Sequence, residues 1–174
     1  MNDLLIIGGG INGVGIARDA AGRGLKVVLA EKGDLGGATS SSSTKLIHGG
    51  LRYLEHYEFG LVRSALKERE ILLNCAPHIV RPMRFILPHN PSIRPAWLIR
   101  IGLFLYDLMA PGDFQRSGSL DLSNSQYGAP LRQNLKKGMY YSDCWVDDSR
   151  LVIENAMDAK IRGATILTNS ECTC

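Results

Sequence analysis

Leu4-Leu5-Ile6-Ile7-Gly8-Gly9-Gly10-Ile11-Asn12-Gly13 is the stretch that decides the fold. A short apolar run meets three glycines, and a pattern of small residues at helical spacing follows up to Gly24. A second apolar run, Val27-Val28-Leu29-Ala30, ends on an acid, Glu31. The order is strand, glycine turn, helix, strand, acid, which is what the pyrophosphate and ribose of a dinucleotide require. Gly8 lets the chain turn sharply off the strand. Gly10 has no Cβ, so a pyrophosphate can approach the backbone. Gly13 allows close packing of helix on sheet. The amides and dipole of the helix N-terminus face the phosphates. Ala17, Ala20 and Ala21 keep the helix thin, and Gly24 suits a left-handed C-cap. Glu31 stands about 20 residues beyond the turn, where a carboxylate accepts from ribose hydroxyls. It would repel a 2′-phosphate, which argues against NADP and leaves NAD and FAD open.

The 174 residues suffice for one domain with a full core. Apolar residues at 45% and charged residues at 21% match a soluble globular protein. The net charge of +3 forms no dense basic stripe, so nucleic acid is not an expected partner. Met1-Asn2-Asp3 leads straight into a strand without a signal peptide, which makes the cytoplasmic side the default expectation. Cys75, Cys144, Cys172 and Cys174 read as ordinary thiols, and no metal site is expected. No stretch reaches membrane-spanning length. Residues 95–110 come nearest, interrupted by Arg100 and Asp107.

Beyond Glu31 lies a glycine-rich loop, residues 32–37, then the hydroxyl run Ala38-Thr39-Ser40-Ser41-Ser42-Ser43-Thr44-Lys45. Residue chemistry alone leaves two readings. One is a flexible serine linker. The other is a loop whose hydroxyls donate to phosphate oxygens. The next segment, Leu46-Ile47-His48-Gly49-Gly50-Leu51-Arg52-Tyr53-Leu54, tips the balance to the second, because it sets polar groups among glycines and apolar residues as a buried site does.

The glycine fingerprint, Ala38-Thr39-Ser40-Ser41 and Lys45 to Glu55 together resemble the FAD-dependent, quinone-linked glycerol-3-phosphate dehydrogenases of the bacterial membrane surface. The resemblance continues through Met83-Arg84-Phe85, Arg94-Pro95-Ala96-Trp97, Gly102-Leu103 and Tyr141 to Leu151, nearly the whole chain. It implies an α/β, Rossmann-like FAD-binding fold of the glutathione-reductase/D-amino-acid-oxidase type, with part of an inserted substrate-domain segment. It also implies an incomplete chain, since a complete enzyme of the family continues beyond Cys174. Residues 1–56 would form the dinucleotide core and flavin loop, 57–138 a helical insert, and 139–174 the return to the FAD domain.

The implied reaction oxidises sn-glycerol 3-phosphate to dihydroxyacetone phosphate, with FAD as cofactor and quinone as final acceptor. The implied setting is peripheral, on the inner face of the cell membrane, with a homodimer open. Gly8, Gly10, Ile11, Asn12 and Gly13 would cradle the pyrophosphate, and Glu31 the ribose. Thr39 and Ser40 would add contacts, and Lys45, Leu46, His48 and Gly49 would run beside the flavin ring. Arg52, with Tyr53 as its helper, is the best candidate for the substrate phosphate, because a guanidinium matches phosphate oxygens two at a time. His48 is read either as a proton acceptor or as a neutral histidine packed near the flavin. Three rivals stand beside this: a flavin enzyme acting on amines or amino acids, a nicotinamide dehydrogenase, and a non-catalytic fragment.

The remaining chain reads as follows. Tyr57–Cys75 is an amphipathic helix with Leu61, Ala65, Leu66, Leu72 and Leu73 inward and Lys67, Glu68, Arg69 and Glu70 solvated. Residues 83–87 form a strand bounded by prolines. Pro95–Ala110 is a core helix on whose inner face lie Trp97, Leu98, Ile101, Leu105 and Leu108, the alternative being a face that dips into lipid. Residues 111–130 form a surface loop, and 134–138 a solvated basic turn. Residues 139–146 form a strand, 149–162 a helix capped by Asp147 and Asp148 and stopped by Gly163, and 164–168 a strand. Asp143, Asp147 and Asp148 are assigned to capping and turns rather than to metal.

Overall fold

The computed structural model describes every residue except Pro91, Ile93, Asp113 and Cys174. The thiol expectation at Cys174 therefore lies outside the described residues. The elements are β1 (Leu4–Ile7), α1 (Ile11–Gly22), β2 (Val27–Ala30), β3 (Leu46–Ile47), α2 (Phe59–Cys75), β4 (Val80–Pro88), α3 (Ala96–Met109), β5 (Gly118–Asp121), β6 (Lys137–Val146), α4 (Asp148–Ile161) and β7 (Thr165–Leu167). Two short 3-10 helices, Thr39–Ser41 and Leu51–His56, join them. The chain forms two compact units, residues 1–45 with 146–174, and residues 46–145. The sequence boundaries at 56/57 and 138/139 differ from these. Leu46 and Ile47 pair with Trp145 and Cys144, and that pairing draws residues 46–56 and 139–145 into the second unit.

The first unit is a parallel sheet in the order β1-β2-β7. Leu4 lies opposite Val27, and Val28 opposite Thr165. The buried core runs from Ile6, Val27 and Leu29 on the strands to Val14, Ala17 and Ala21 on α1 and Val152, Ala156 and Ala159 on α4. The alanines serve α4 as much as the sheet, since α1 packs directly on α4. Both helices end alike. Gly24 and Gly163 adopt positive φ, 85° and 100°. Around them Leu25 N donates to Ala20 O, and Ala164 N donates to Ala159 O. These are the bonds of a Schellman stop. Asp147 caps α4 by accepting from Arg150 N at 3.1 Å.

The second unit is built on β6, with β3, β4 and β5 as neighbours. β5 runs antiparallel to β6 and places Asp121 opposite Lys137. It lies inside the segment that the sequence assigns to a loop, and Lys137 begins a strand rather than ending a turn. β4 is longer than its proline bounds suggest and includes Pro82 and Pro88. It occupies the end of the path β3-β6-β4, where a residue without N–H loses no ladder bond on the outer side.

Two helices bury faces other than those predicted. In α2 the buried residues are Val62, Leu66 and Arg69, while Leu61 is exposed. Arg69, assigned to solvent, is fully buried. In α3 the buried residues are Leu103 and Tyr106. Trp97, Leu98, Ile101 and Leu108 are exposed, Leu108 to 73%. A helix apolar on most sides carries no periodicity that selects a face. Here polar partners select it, because the Tyr106 hydroxyl and the Arg69 guanidinium both meet Asp143.

Leu29 is fully buried at the centre of the first unit. In the full-length protein, Leu29→Ala should reduce the unfolding free energy by about 2–5 kcal/mol. A urea titration would show this as a lower midpoint.

Candidate functional site

In the first unit the glycine turn is sterically exclusive. Gly8 has φ +107°. A Cβ on Gly13 would fall on the Gly8 carbonyl, and one on Gly10 would press on Ser40 Oγ at 3.1 Å. A Cβ on Gly9 would lie 2.7 Å from Leu35 Cδ2 and 2.9 Å from Glu31 Cβ. Gly9 is therefore as constrained as the fingerprint glycines, although the spacing rule ignores it. Ser40 Oγ accepts from Ile11 N at 3.0 Å. The amides of Asn12 and Gly13 follow in the first turn, where no carbonyl of α1 can reach them.

Glu31 organises the turn from the end of β2. Its Oε2 accepts from Gly9 N at 2.6 Å and its Oε1 from Gly33 N at 2.8 Å. These two amides, Gly9 first, hold its carboxyl below the usual range. A carboxylate has about four acceptor positions, so each oxygen keeps capacity for a ribose hydroxyl. Ser40 thus joins the fingerprint residues, whereas Thr39 is exposed.

The hydroxyl run is tied down rather than free. Ser43 Oγ donates to Asp148 Oδ2 at 2.7 Å and accepts from Lys45 N at 2.9 Å. Lys45 Nζ pairs with Asp148 Oδ1, and Lys45 itself sits at φ 57°, a left-handed conformation rare for a side chain of its size. Asp148, read as a cap, is the buried anchor of this loop. Its carboxyl lies well below the ordinary range, through Lys45 first and Ser43 second.

In the second unit an open cavity of about 490 Å³ is lined by residues that include His48, Arg52, Tyr53, His56, Leu46, Phe85, Tyr141 and Asp143. Phe85 and Tyr141 stack with ring centroids 5.4 Å apart. His48, Arg52 and Tyr53 are exposed in this chain, not buried as their neighbours in the sequence suggest. Glu55 is paired with Arg94, one of its bonds being 2.7 Å, and its charge also acts on the cavity residues Arg52 and His56.

Beneath the cavity lies a buried network with no counterpart in the sequence reading. Arg69 Nη1 donates to Asp143 Oδ1 at 2.6 Å and to Ser142 O at 3.1 Å, and its guanidinium lies 3.8 Å over the Phe114 ring. Tyr106 donates to the Asp143 carboxylate, 2.8 Å from Oδ1, and accepts from Gly49 N at 2.7 Å. Burial pushes the Asp143 carboxyl up, and the bonds from Arg69 and Tyr106 pull it back. Burial first, and the Asp143 charge second, raise the Tyr106 hydroxyl, so it stays a neutral donor. Asp143 is thus the centre of a network and neither a turn nor a cap. Gly49 has no space for a Cβ, which would meet Leu66 Cγ and the Tyr106 hydroxyl, and Gly50 has φ 71°. Cys144, next to Asp143, is buried, and its thiol is pushed up to about 11, as suits an inert packing residue.

With this geometry the chain matches the family model of FAD dependent oxidoreductases over residues 3–174. It is 63% identical to the D-erythritol 1-phosphate dehydrogenase of Brucella abortus (strain 2308), over 97% of this chain and 34% of that protein. It is 57% identical to the aerobic glycerol-3-phosphate dehydrogenase of Escherichia coli (strain K12), over 98% of this chain and 34% of that protein. The solved glycerol-3-phosphate dehydrogenase from Bacillus halodurans, complexed with FAD, superposes with a TM-score of 0.70 at 32% identity, covering 99% of this chain and 27% of that one. The chain therefore spans about a third of the length of the curated relatives it matches.

A carboxyl whose folded pKa is depressed contributes stability that is present above its unfolded pKa, here 3.8, and is lost as pH falls through the folded value. Asp148→Asn should therefore lower the melting temperature at pH 7. The gap from the parent protein should close as pH falls below the ordinary Asp range, which melts at a series of pH values would read directly.

Proposed function

The chain belongs to the FAD dependent oxidoreductases, and we propose that the protein carrying it oxidises a phosphorylated polyol at a secondary alcohol. The observation that carries this reading is 57–63% identity, over nearly the whole chain, to proteins named for glycerol 3-phosphate and D-erythritol 1-phosphate. sn-Glycerol 3-phosphate, giving dihydroxyacetone phosphate, is the first substrate proposed, with quinone as the final acceptor. D-erythritol 1-phosphate is the second, because the 63% relative bears that name. Both present a phosphate and neighbouring hydroxyls to the same kind of site.

The first unit fits a flavin dinucleotide. It offers a turn closed to a Cβ at Gly9 and Gly13 and left-handed at Gly8, helix amides at its rim and an ionised Glu31 beside it. Gly8, Gly10, Ile11, Asn12 and Gly13 would hold the pyrophosphate, Glu31 the ribose, and Ser40 the start of α1 against them. When bound, FAD supplies the two-electron acceptor for hydride. The chain's part is to bind, orient and exclude water. Arg52 would clamp the substrate phosphate, with Tyr53 beside it, and the Phe85–Tyr141 wall would bound the carbon chain.

The exposed apolar side of α3 supports a peripheral membrane setting. Trp97, Leu98, Ile101, Phe104 and Leu108 are exposed together, and Arg100 on the same helix bonds Ser117 Oγ at 3.1 Å. No helix among the described residues is long and apolar enough to cross a membrane. Such a face suits shallow insertion at the inner surface of the cell membrane.

The test uses the full-length protein with dye reduction as readout. Glycerol 3-phosphate or D-erythritol 1-phosphate should be turned over, and glycerol should not. Arg52→Ala should raise the KM for the phosphate ester roughly tenfold or more, the scale of a lost charged hydrogen bond, with flavin content unchanged. Equal kinetics of the parent enzyme with glycerol and with its phosphate would overturn the assignment.

A further inference from the structure

We propose that His48 serves the cavity as a hydrogen-bond donor through Nε2 rather than as its proton acceptor, and that Tyr106 is the positioning residue that keeps it so. The inference rests on the oxidoreductase reading above and assigns a role within that site.

The first observation is a single bond. Gly50 N donates to His48 Nδ1 at 2.9 Å. A backbone amide has only a proton to offer, so Nδ1 must supply its lone pair. The neutral ring then carries its proton on Nε2, since the bond made by one imidazole nitrogen sets the state of the other. A general base at Nε2 needs the opposite tautomer. That tautomer would turn an Nδ1–H toward the Gly50 N–H, two donors facing each other.

The second observation is that the backbone holding Nδ1 is locked from below. Gly49 N is bound by the Tyr106 hydroxyl at 2.7 Å, and that hydroxyl is held by Asp143, which Arg69 pairs at 2.6 Å. Tyr106, Arg69 and Asp143 are all buried. Gly49 has no spare volume, and Gly50 is in a left-handed conformation that a residue with a side chain cannot adopt cheaply. The turn His48-Gly49-Gly50 is therefore fixed at its middle residue by a side chain from α3, and the Gly50 amide is aimed at Nδ1 as a consequence.

The third observation is the company His48 keeps. Arg52 and His56 line the same cavity. The carboxylate in its lining, Asp143, is already engaged by Arg69 and Tyr106, and Glu55, whose charge acts on Arg52 and His56, is engaged by Arg94. Donors converge there, which suits an oxygen that bears or gains negative charge. Removal of the alcohol proton then falls to a group other than His48.

The test is made on full-length holoenzyme labelled with ¹⁵N-histidine, with the His48 signals assigned by their loss in His48→Gln. Long-range proton–nitrogen correlation should show an unprotonated Nδ1 and a protonated Nε2. The reverse tautomer overturns the proposal. In Tyr106→Phe the single tautomer should give way to a mixture. An unchanged spectrum there overturns the positioning role of Tyr106. Kinetics give an independent arm, because glutamine places an N–H near the Nε2 position and asparagine places one near Nδ1. His48→Gln should keep most of kcat, while His48→Asn and His48→Ala should lose roughly a hundredfold, the scale of one donor to a developing charge. Equal loss in all three variants overturns the donor role. The spectra need no substrate, so failure to oxidise either polyol phosphate would count against the functional reading alone.

Discussion

The first unit depends on one carboxylate. Glu31 binds two backbone amides at once, Gly9 in the turn after β1 and Gly33 in the loop after β2. The turn, the loop and the strand end are thereby held in one arrangement, and a further bond from Gly36 N to Gly9 O closes it. The crowding follows from this. Leu35 and Glu31 come so near Gly9 that no side chain fits there, and Gly8 carbonyl comes so near Gly13 that none fits there either. Charge-assisted bonds of this kind are among the stronger ones in a protein, and these sit half-buried on a parallel sheet with a fully apolar core. The surface that would receive a pyrophosphate is thus made rigid before any ligand arrives.

The second unit solves a related problem with an ion pair. The sequence His48-Gly49-Gly50 would be a loose hinge in isolation. Tyr106, Asp143 and Arg69 turn it into a fixed part, because the Gly49 amide has a buried partner and that partner has its own. The desolvation of the two charges is offset on the Asp143 side by bonds from Arg69 and Tyr106. Arg69 bonds through Nη1 alone and leaves Nε and Nη2 without a hydrogen-bond partner among the described residues, its guanidinium lying over the Phe114 ring instead. Both units therefore use glycine for close approach and carboxylate for rigidity, but one accepts from backbone amides and the other from side chains.

The parts legible in the sequence are those governed by local rules. β1, the glycine turn, α1 and β2 follow from spacing, and so do the Asp147 cap and the glycine stops at Gly24 and Gly163, because each is settled within a few residues of chain. Sequence places Arg69 on a solvated face and Asp143 in a turn, since nothing near either of them announces the other. Their pairing spans two elements remote in sequence. The buried face of α3 differs from the one its apolar residues suggest for the same reason. Leu103 and Tyr106 are chosen by the partners of a hydroxyl, and apolar periodicity is blind to those. Asp148 reads locally as a cap, while its bonds to Ser43 and Lys45 exist only once the loop folds back on α4. β5 is short, and its register is written in β6 rather than in its own residues.

If Glu31 is what shapes the cofactor cradle, its removal must be felt by the flavin before anything else. The direct measurement is FAD affinity, by flavin fluorescence, of deflavinated full-length protein and its Glu31→Ala variant, with folding checked by circular dichroism. A Kd raised roughly tenfold or more is predicted, the scale of lost bonds to a charged group, in a protein that remains folded. An unchanged Kd would contradict the role given to Glu31.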